Sequence, residues 1–336
     1  MKRRQFIKAV LSGSSILLLP LSMGARAKNQ ETRSLRFGIC TDIHQDIMHD
    51  AAIRLQQFLD VAEKQNLDFV IDLGDFCFPK NENLDFVKIW KSSPIEKFNV
   101  LGNHDMDMGN KNDFMNFVGM KERYYSFDRG DIHFIVLDPN NLYIDGNYIP
   151  YQNGNFYKPA EQRAHVDPAQ MDWLKNDLSK TQKHCIVFSH QSFQNETACQ
   201  NGEQVRAIFE EANRNAGFTK VVAAFSGHDH TDYATEINGI QYIQINSMSY
   251  QWVGEKYKCP ERFPDSINKL RPSLQYTTPY KDPLFAIVTI NENSLELKGI
   301  ESSFVKPGPS ELGIPTNLQS STPLVARISD RNFDFQ

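Results

Sequence analysis

Five short apolar runs in this chain each end abruptly in an aspartate, an asparagine or a histidine. The runs are rich in β-branched and aromatic residues, which indicates buried strands, and segments with helical apolar spacing separate several of them. In chain order, the polar residues that follow the five runs are Asp42 and His44, Asp75, Asn103 and His104, His190, and His228 and His230. Open α/β sheets bind ligands at the exits of their strands, so the pattern predicts an α/β fold with a ligand site there.

The spacing of apolar residues also predicts the individual elements. Strands are predicted over residues 35–40, 69–73, 98–101, 124–127, 132–137, 185–189, 221–226, 233–236, 240–245, 284–290 and 295–300, and helices are predicted to begin near residues 50, 83, 168 and 203. Asn238-Gly239 is a strong signal for a two-residue hairpin turn. The segments 139–166 and 248–282 are long, irregular and aromatic, and loops of that length are usually functional or mobile.

The first 27 residues resemble an export signal rather than a folded element. Paired arginines and further basic residues occupy 2–8, an apolar run diluted by Gly and Ser follows, and Ala25-Arg26-Ala27 offers a small-x-small cleavage point. This order is typical of a twin-arginine signal, which implies transfer by the twin-arginine export machinery to a periplasmic or extracellular location. The alternative is a membrane anchor, but a span needs about 20 apolar residues and this run is short.

The charge of the chain argues against two classes of standing partner. The formal net charge is −5, and the signal segment contributes five Lys/Arg and no acid, so the remainder carries about −10. Nucleic acid and anionic membrane surfaces require clustered Lys and Arg, so no stable partner of either kind is expected. Five cysteines occur without metal-finger spacing, and two of them, Cys199 and Cys259, are candidates for a disulfide.

The strand exits hold five of the chain's nine histidines, together with carboxylate and carboxamide side chains. Any one of these residues is compatible with an ordinary polar strand end, but the whole set indicates a shared ligand. Imidazole, carboxylate and carboxamide groups without thiolates suit divalent or trivalent Mn, Fe or Zn. The sequence therefore predicts a metal site without cysteine ligands.

Five sequence blocks, taken in order, show a family resemblance. They are Asp42-x-His44, Gly74-Asp75, Gly102-Asn103-His104-Asp105, His190 after an apolar strand, and Gly227-His228-x-His230. Together they resemble the calcineurin-like metallophosphoesterase family over about residues 35–300. The resemblance implies a four-layer αββα sandwich of two mixed sheets flanked by helices. The signal peptide (1–27) and a polar lead-in (28–34) would precede this domain, and a Pro/Ser-rich C-terminal tail (301–336) would follow it.

The resemblance also implies a site for two metal ions and a role for each residue. Asp42, His44 and His230 would hold one ion, Asn103, His190 and His228 would hold the other, and Asp75 would bridge them. Such paired ions would bind the phosphoester oxygens and generate a bridging hydroxide for in-line attack. His104 would donate to the phosphate or to the leaving group, and Asp105 would hold its other ring nitrogen. Gly102 would let the backbone turn tightly at the strand exit.

Some motif positions of this chain differ from those of individual branches of the family, and these differences limit the kinds of substrate that are expected. The phosphate-binding arginine that follows the Gly-Asp block in protein serine/threonine phosphatases is missing, and Phe78 stands where purple acid phosphatases have a tyrosine. A small phosphoester substrate is therefore expected. The motif blocks supply no Lys or Arg for a dianionic monoester, which slightly favours phosphodiesters. The alternatives are a phosphomonoesterase on small exported or scavenged phosphates and a non-catalytic metal-binding recognition module.

The two long segments supply aromatic side chains that are candidates for substrate contact. Tyr143, Tyr151, Tyr250 and Trp252 are predicted to border the pocket, because aromatic faces stack on a base, a sugar or an aryl leaving group. The alternative is that these rings pack the segments onto the sheets. The sequence leaves this choice open.

Overall fold

The computed structural model describes residues 34–195, 198–318 and 322–335. The predicted export signal over residues 1–27 lies outside the described residues. Among the described residues, no helix combines the length and the apolar character that crossing a bilayer requires.

The strands are short, and those in the middle of the sheets are largely buried, as β-branched and aromatic residues favour. In chain order they are β1 (Leu35–Cys40), β2 (Phe69–Asp72), β3 (Glu96–Asn99), β4 (Tyr125–Arg129), β5 (Ile132–Val136), β6 (Asn141–Ile144), β7 (Asn147–Pro150), β8 (His184–Phe188), β9 (Val221–Ser226), β10 (Tyr233–Ile237), β11 (Ile240–Gln244), β12 (Tyr250–Trp252), β13 (Thr277–Pro279), β14 (Ala286–Ile290), β15 (Ser294–Gly299) and β16 (Arg331–Asp334).

Two of the helices show how local sequence signals set a helix start. In chain order the helices are α1 (Ala51–Lys64), α2 (Leu84–Ser92), α3 (Lys111–Val118), α4 (Pro168–Lys180), α5 (Gly202–Ala216) and α6 (Asp265–Leu270). At α4, the Asp167 side chain accepts the backbone N–H of Gln170 and Pro168 takes the first position, as predicted. Asn110 and Asp113 form a capping box on α3, a helix that the apolar spacing alone does not indicate.

Two six-stranded mixed sheets form the middle of the fold. The first has the strand order β16-β15-β14-β1-β2-β3, and the second has the order β10-β11-β9-β8-β5-β4. β1, β2 and β3 run parallel to one another, and so do β5, β8 and β9. Parallel neighbours end at the same edge of a sheet, so the polar residues that follow these strands converge there.

Three apolar cores separate the layers of the fold. The central core lies between the two sheets, where the ring of Phe37 packs edge-on against Phe134 and Phe188. The second core joins the first sheet to α1, α2 and α3, and the third joins the second sheet to α4 and α5. This arrangement is the predicted four-layer αββα sandwich, so the fold prediction is confirmed.

Two expectations outside the core are wrong, and the candidate disulfide is not formed. The segment 139–166 is not irregular throughout, because β6 and β7 pair as a hairpin within it. The chain beyond residue 300 is not a separate tail, since β16 pairs with β15 and Ala326 and Ile328 enter the central core. Cys199 and Cys259 are both buried free thiols. The pairing of β16 with β15 depends on contacts between distant parts of the chain, which local periodicity does not report.

Candidate metal centre

The polar residues predicted from the strand exits lie together at one edge of the two sheets. Those of the first sheet follow β1, β2 and β3, and those of the second sheet follow β8 and β9. In that order they are Asp42 and His44, Asp75, Asn103, His190, and His228 and His230. The site therefore takes side chains from both sheets.

Three of these side chains form a first group of candidate ligand atoms. Asp42, His44 and His230 are all buried, and each offers one atom within 4.8 Å of the other two. Nε2 of His230 lies 3.2 Å from Asp42 Oδ1 and 3.3 Å from Nε2 of His44. Two imidazoles and a carboxylate that converge in this way are a suitable donor set for a transition-metal cation.

A second group lies beside the first and is formed by Asp75, His190 and His228, again with one atom each within 4.8 Å. Nε2 of His190 lies 3.1 Å from Asp75 Oδ2 and 3.2 Å from Nδ1 of His228. Asn103, which is also buried, accepts a 3.4 Å hydrogen bond on its carboxamide oxygen from Gln191, the residue after His190. The structure thus brings Asn103 close to the second group.

Asp75 lies between the two groups. Its Oδ2 atom is 3.1 Å from Nε2 of His190 in the second group and 3.7 Å from Nε2 of His44 in the first. Its Oδ1 atom accepts the backbone N–H of His104 at 2.8 Å, which fixes the orientation of the carboxylate. A carboxylate with one oxygen facing both groups is suitably placed to bridge two ions.

One carboxylate oxygen that faces the site has no hydrogen-bond partner among the described residues, which suits it to a cation. Oδ2 of Asp42 accepts hydrogen bonds from Thr41 Oγ1 and from the backbone N–H of His228. Oδ1 of the same carboxylate is buried, and no described residue donates to it. A buried polar atom without a partner destabilises the fold by about 1–3 kcal/mol, which a bound cation would offset.

Two of the histidines are held in the orientation that metal binding requires. The Nδ1–H groups of His190 and His230 donate to the carbonyl oxygens of Leu73 and Tyr250, each at 2.8 Å. These bonds leave the two Nε2 atoms as acceptors that face the site. Metal-binding histidines are commonly fixed by a hydrogen bond of this kind on the other ring nitrogen.

The neighbouring histidines of the second group have opposite pKa shifts. Burial disfavours the charged ring of His190, but Asp75 and Asp42 outweigh burial and raise its pKa to about 10. Burial and the adjacent His190 lower the pKa of His228 to about 4. The carboxylates of Asp75 and Asp42 thus favour a positive charge close to them. Without a metal, this charge can come only from a proton on one of the two rings, His190, because His228 stays neutral beside it. A divalent cation provides it while both rings stay neutral.

The backbone at the site is strained. Of the ten non-glycine residues with positive φ in the described chain, five are candidate ligands, with φ between 50° and 69°. They are Asp42, His44, Asp75, His228 and His230. Each such residue destabilises the fold by about 1–3 kcal/mol, and this kind of strain clusters at functional sites.

Gly102 is required by close packing between strand exits. A Cβ atom on Gly102 would collide with the backbone nitrogen and the Oδ1 atom of Asp75. Gly102 is not among the glycines with positive φ, so the expected tight turn is not the reason for its presence. Its role is to let the loop that follows β3 approach the loop that carries Asp75.

The prediction that Asp105 holds the second ring nitrogen of His104 is wrong. Asp105 is fully buried, and its carboxylate accepts the backbone N–H groups of Gly102, Asp75, Phe76 and Cys77. The partner of His104 is Asp107, whose Oδ2 lies 2.8 Å from the Nδ1 atom of the ring. Asp105 therefore ties two strand exits together. Burial opposes the charged form of His104, but Asp75 and Asp107 outweigh it and raise the pKa of the ring.

A cavity of about 1110 Å³ opens over both groups. His44, Asp75, His104, His228 and His230 form its floor. The described residues that line it include several acids and aromatics but neither Lys nor Arg. This volume is slightly larger than the roughly 300–1,000 Å³ of typical small-molecule sites, so the cavity has room for organic groups beyond a phosphate.

Two of the four predicted substrate contacts line this cavity and two do not. Tyr250 and Trp252 are part of its wall. Tyr151 is buried elsewhere, where its hydroxyl oxygen accepts the backbone N–H of Ala164. Tyr143 is exposed, and its ring packs on Tyr148 in the β6–β7 hairpin. The prediction for Tyr143 and Tyr151 is therefore wrong, because their segment folds back on itself.

Among the cavity residues that were not predicted from the sequence, Asp107, Tyr157 and Gln194 carry polar groups close to the site. Asp107 lies three residues after His104 in a 3₁₀ turn, a spacing at which side chains share a face and which a local reading can detect. Tyr157 and Gln194 carry no comparable local signal. Both line the cavity, and the buried side-chain nitrogen of Gln194 has no hydrogen-bond partner among the residues described.

Comparisons with known proteins agree with the fold and the motif blocks. The sequence profile of the family described as calcineurin-like phosphoesterase matches residues 35–232. A dimetal phosphatase from Danio rerio is similar in structure, with a TM-score of 0.56 and 15% identity over 81% of this chain and 98% of that one. GAP50, described as the anchor in the inner membrane complex of Plasmodium, has a TM-score of 0.51 and 16% identity over 90% and 89%. No curated protein sequence gives a significant match.

Proposed function

The chain belongs to the calcineurin-like phosphoesterase family and is a hydrolase of phosphoric ester bonds, and from this premise we propose that it prefers phosphodiesters to phosphomonoesters. The observation that carries the preference is the wall of the cavity, in which the described residues provide no Lys or Arg. Arginine and lysine are the side chains that usually pair with a doubly charged phosphate. The two structural neighbours support the fold only, since their sequence identity is low.

Two metal ions would be held by the two groups of side chains. Asp42, His44 and His230 would hold one, Asn103, His190 and His228 would hold the other, and Asp75 would serve both. Imidazole and oxygen donors without thiolates favour Mn, Fe or Zn. When bound, such a pair of ions binds phosphoester oxygens and lowers the pKa of a water for attack on phosphorus.

His104 is the proposed proton donor to the leaving group. Its ring lies in the cavity floor, and its side chain is 31% exposed, so it can reach a substrate. Asp107 engages Nδ1, which leaves Nε2 available to the leaving-group oxygen. The flanking carboxylates favour the protonated ring, which is the form that a general acid needs.

The charge of the cavity suits a singly charged diester. Asp46, Asp107 and Asp229 line it together with the ligand Asp75. The lysine close to this wall, Lys80, is paired with Asp46 at 2.7 Å. A monoester is close to doubly charged at neutral pH, whereas a diester carries one charge and a second organic group. The cavity has the volume for that second group.

Rates on matched substrates test this proposal. Purified protein loaded with Mn²⁺ is assayed on bis(4-nitrophenyl) phosphate and on 4-nitrophenyl phosphate, and we expect a higher kcat/KM for the diester. The variant His104→Ala should lose about 10²–10⁴-fold in kcat while it keeps both ions. A higher kcat/KM for the monoester would replace the diester proposal with a phosphomonoesterase. Bound metal without turnover of either substrate would indicate a recognition module instead.

Export by the twin-arginine machinery is proposed on sequence alone. Its support is the arrangement of Arg3-Arg4, the following apolar run and Ala25-Arg26-Ala27. The double substitution Arg3→Lys and Arg4→Lys should retain the protein inside cells that carry this machinery. Fractionation and immunoblotting measure the distribution, and unchanged export of the variant would contradict the proposal.

The expected partner of the protein is a small phosphoester substrate, and no stable nucleic-acid or membrane partner is expected.

A further inference from the structure

We propose that one side of the cavity is a subsite for a hydroxylated organic group, a sugar or a polyol, of the phosphodiester substrate. The inference deepens the proposed function and rests on it. Five polar side chains form this subsite, and all of them line the cavity beside the two groups of candidate ligands. We call them the β10 wall, and they are Gln194, Asp229, Tyr233, Thr235 and Gln244.

One face of the strand β10 forms the centre of the wall. Side chains alternate between the two faces of a strand, and the alternate residues Tyr233, Thr235 and Ile237 all line the cavity. Glu236 lies between the last two and lines a different, smaller cavity. From Tyr233 to Ile237 the strand rises about 13 Å, so the wall is long enough to contact a group of the size of a sugar ring.

The neighbouring strand β11 fixes the orientation of the wall. Gln244 lies opposite Tyr233 in the register of β10 and β11. Its Oε1 atom accepts the hydroxyl of Thr231 at 2.8 Å, and its Nε2 atom donates to Ser192 at 3.1 Å. The same Nε2 atom donates to Oδ2 of Asp229. Both ends of the Gln244 amide are therefore engaged, and the amide holds the carboxylate of Asp229 in place.

Two polar atoms of the wall remain for a ligand. Among the described residues, Asp229 accepts side-chain hydrogen bonds from Asn195 at 3.2 Å and from Gln244, and both fall on Oδ2. Its other oxygen, Oδ1, is therefore left as an acceptor. The buried Nε2 atom of Gln194 is a donor without a partner among the described residues. A buried donor of this kind is unfavourable unless a ligand accepts its hydrogen bond.

The chemistry of these atoms selects hydroxyl groups. A carboxylate oxygen only accepts and an amide nitrogen only donates, while the hydroxyls of Tyr233 and Thr235 can do both. A ligand hydroxyl can donate to Asp229 and accept from Gln194 through a single atom. An ammonium group only donates and a carbonyl oxygen only accepts, so neither satisfies both residues in this way.

The charge of the wall favours a neutral group. Among the described residues that line the cavity, no Lys or Arg is present to pair with a second anion. Asp229 lies between His228 and His230 in the chain, so a cationic group on Asp229 would be close to the metal ions that these histidines are proposed to hold. Neither effect disfavours a neutral group with several hydroxyls.

Two diesters with the same 4-nitrophenyl leaving group test the inference. One carries methyl α-D-glucopyranoside, esterified at O6, and the other carries cyclohexylmethanol, which has a similar size but no further hydroxyl groups. The protein is loaded with Mn²⁺, and uncatalysed hydrolysis is subtracted. We expect kcat/KM to be about 4–100-fold higher for the glucoside, since each of two added hydrogen bonds contributes about two- to tenfold.

Variants of the wall should reduce this preference. Tyr233→Phe and Thr235→Val each remove a hydroxyl and keep the shape of the side chain, so each should lower the ratio of the two kcat/KM values by about two- to tenfold. Gln194→Leu removes the buried donor and should lower the ratio by a similar factor. The matched control is Glu236→Gln, which alters the opposite face of β10 and should leave the ratio unchanged.

A binding measurement provides a readout that does not depend on turnover. Calorimetry with Mn²⁺-loaded protein compares two products, methyl α-D-glucopyranoside 6-phosphate and cyclohexylmethyl phosphate. We expect the dissociation constant of the glucoside product to be about 4–100-fold lower, and Thr235→Val should raise that constant by about two- to tenfold.

The outcomes distinguish this inference from the proposed function. Equal kcat/KM values for the two diesters, or a glucoside preference that no variant of the wall reduces, would overturn the subsite and leave the hydrolase intact. A higher kcat/KM for choline 4-nitrophenyl phosphate than for the glucoside would also overturn it, because the wall would then bind a cation. If the protein turned over neither diester but bound the glucoside product with the expected preference, the proposed phosphodiesterase would be overturned and the subsite kept.

Discussion

The metal centre and a second polar cluster differ in how their charges are paired. The second cluster is formed by the buried Lys111 and Asp138 and the partly exposed Arg123 and Asp167. In the second cluster, Lys111 Nζ lies 2.5 Å from Asp138 Oδ2. Arg123 bonds Asp138 at 3.1 Å and Asp167 at 2.6 Å, so two cations balance two anions. In the metal centre, Oδ1 of Asp42 is buried without a donor among the described residues.

The backbone of the two clusters differs in the same way. Five candidate ligands have positive φ, whereas none of the four residues of the ion-pair cluster does. Burial alone therefore does not distinguish a functional polar cluster from a structural one. What distinguishes them is a deficit of cationic partners combined with stored backbone strain, and a bound cation accounts for both in the metal centre.

Removing the shared carboxylate should produce the largest effect. Asp75→Asn takes a ligand from both groups, so we expect phosphodiester hydrolysis to fall by about a thousandfold or more and bound metal to fall below two ions per chain. The metal-free variant should lose less stability than Lys111→Met, since no Lys or Arg among the described residues pairs with Asp75. Steady-state rates, metal analysis and urea unfolding measure these quantities. The control is Asp145→Asn, which alters an exposed aspartate outside the cavity. Full metal loading of Asp75→Asn would contradict its bridging position.

Removing Lys111 from the ion-pair cluster should lower stability and leave metal binding unchanged, which is the opposite of the effect of Asp75→Asn. Lys111→Met leaves Asp138 buried with only Arg123 as a cation, so the free energy of unfolding should fall by about 3–5 kcal/mol. Bound metal per folded chain should stay at two ions. Adding Asp138→Asn to this variant should restore part of the lost stability, because the uncompensated charge is gone. If Lys111→Met lost metal rather than stability, the distinction between the two clusters would fail.

A third cluster, at the edge of the protein, should show the smallest effect and a pH dependence. His133 lies 2.6 Å from Asp128 and 2.8 Å from Asp177, and Lys183 also pairs with Asp128. Burial opposes the charged ring, but Asp177 and Asp128 outweigh burial and raise the pKa of His133. The interaction of the charged His133 ring with Asp128 and Asp177 therefore stabilises the fold fully below about pH 6.5, the pKa of histidine in the unfolded chain. This contribution is lost as the pH rises through the higher pKa that His133 has in the folded protein.

The variant His133→Gln measures that contribution. At about pH 5.5 it should lower the free energy of unfolding by about 0.2–1 kcal/mol, and the difference from wild type should shrink as the pH is raised. Urea unfolding at several pH values follows this change. A difference that grows with pH would mean that the ring is neutral in the folded protein.

The sequence predicts which side chains meet in the two candidate groups because each of them lies within four residues of the end of a strand. Asp42, Asp75 and His190 each interrupt an apolar run, and that contrast is visible within a few residues. Parallel strands then bring these positions to one edge without further information. The four-layer architecture, in contrast, is implied by the family resemblance of the motif blocks and not by the alternation of strands and helices.

Long-range packing explains the predictions that failed. Tyr151 and Tyr157 lie in one aromatic segment but have different partners. Tyr151 turns into the protein, where its hydroxyl oxygen accepts the N–H of Ala164, whereas Tyr157 reaches the cavity and bonds Asp107. The strand β16 pairs with β15 after a Pro/Ser-rich stretch without periodicity. Asp105 and Asp107 are chemically equal candidates in the sequence. In the folded protein, backbone N–H groups occupy the carboxylate of Asp105, and the ring of His104 bonds Asp107 instead.

A metal titration tests the central claim most directly, namely that the two groups of candidate ligands at this site hold two cations for hydrolysis. Mn²⁺ is added in steps to metal-free protein at a concentration well above the dissociation constants, and hydrolysis of bis(4-nitrophenyl) phosphate is followed after each step. We expect the rate to rise until two equivalents per chain are bound and then to level off. A rate that levels off at one equivalent, or two bound equivalents without any hydrolysis, would contradict the account.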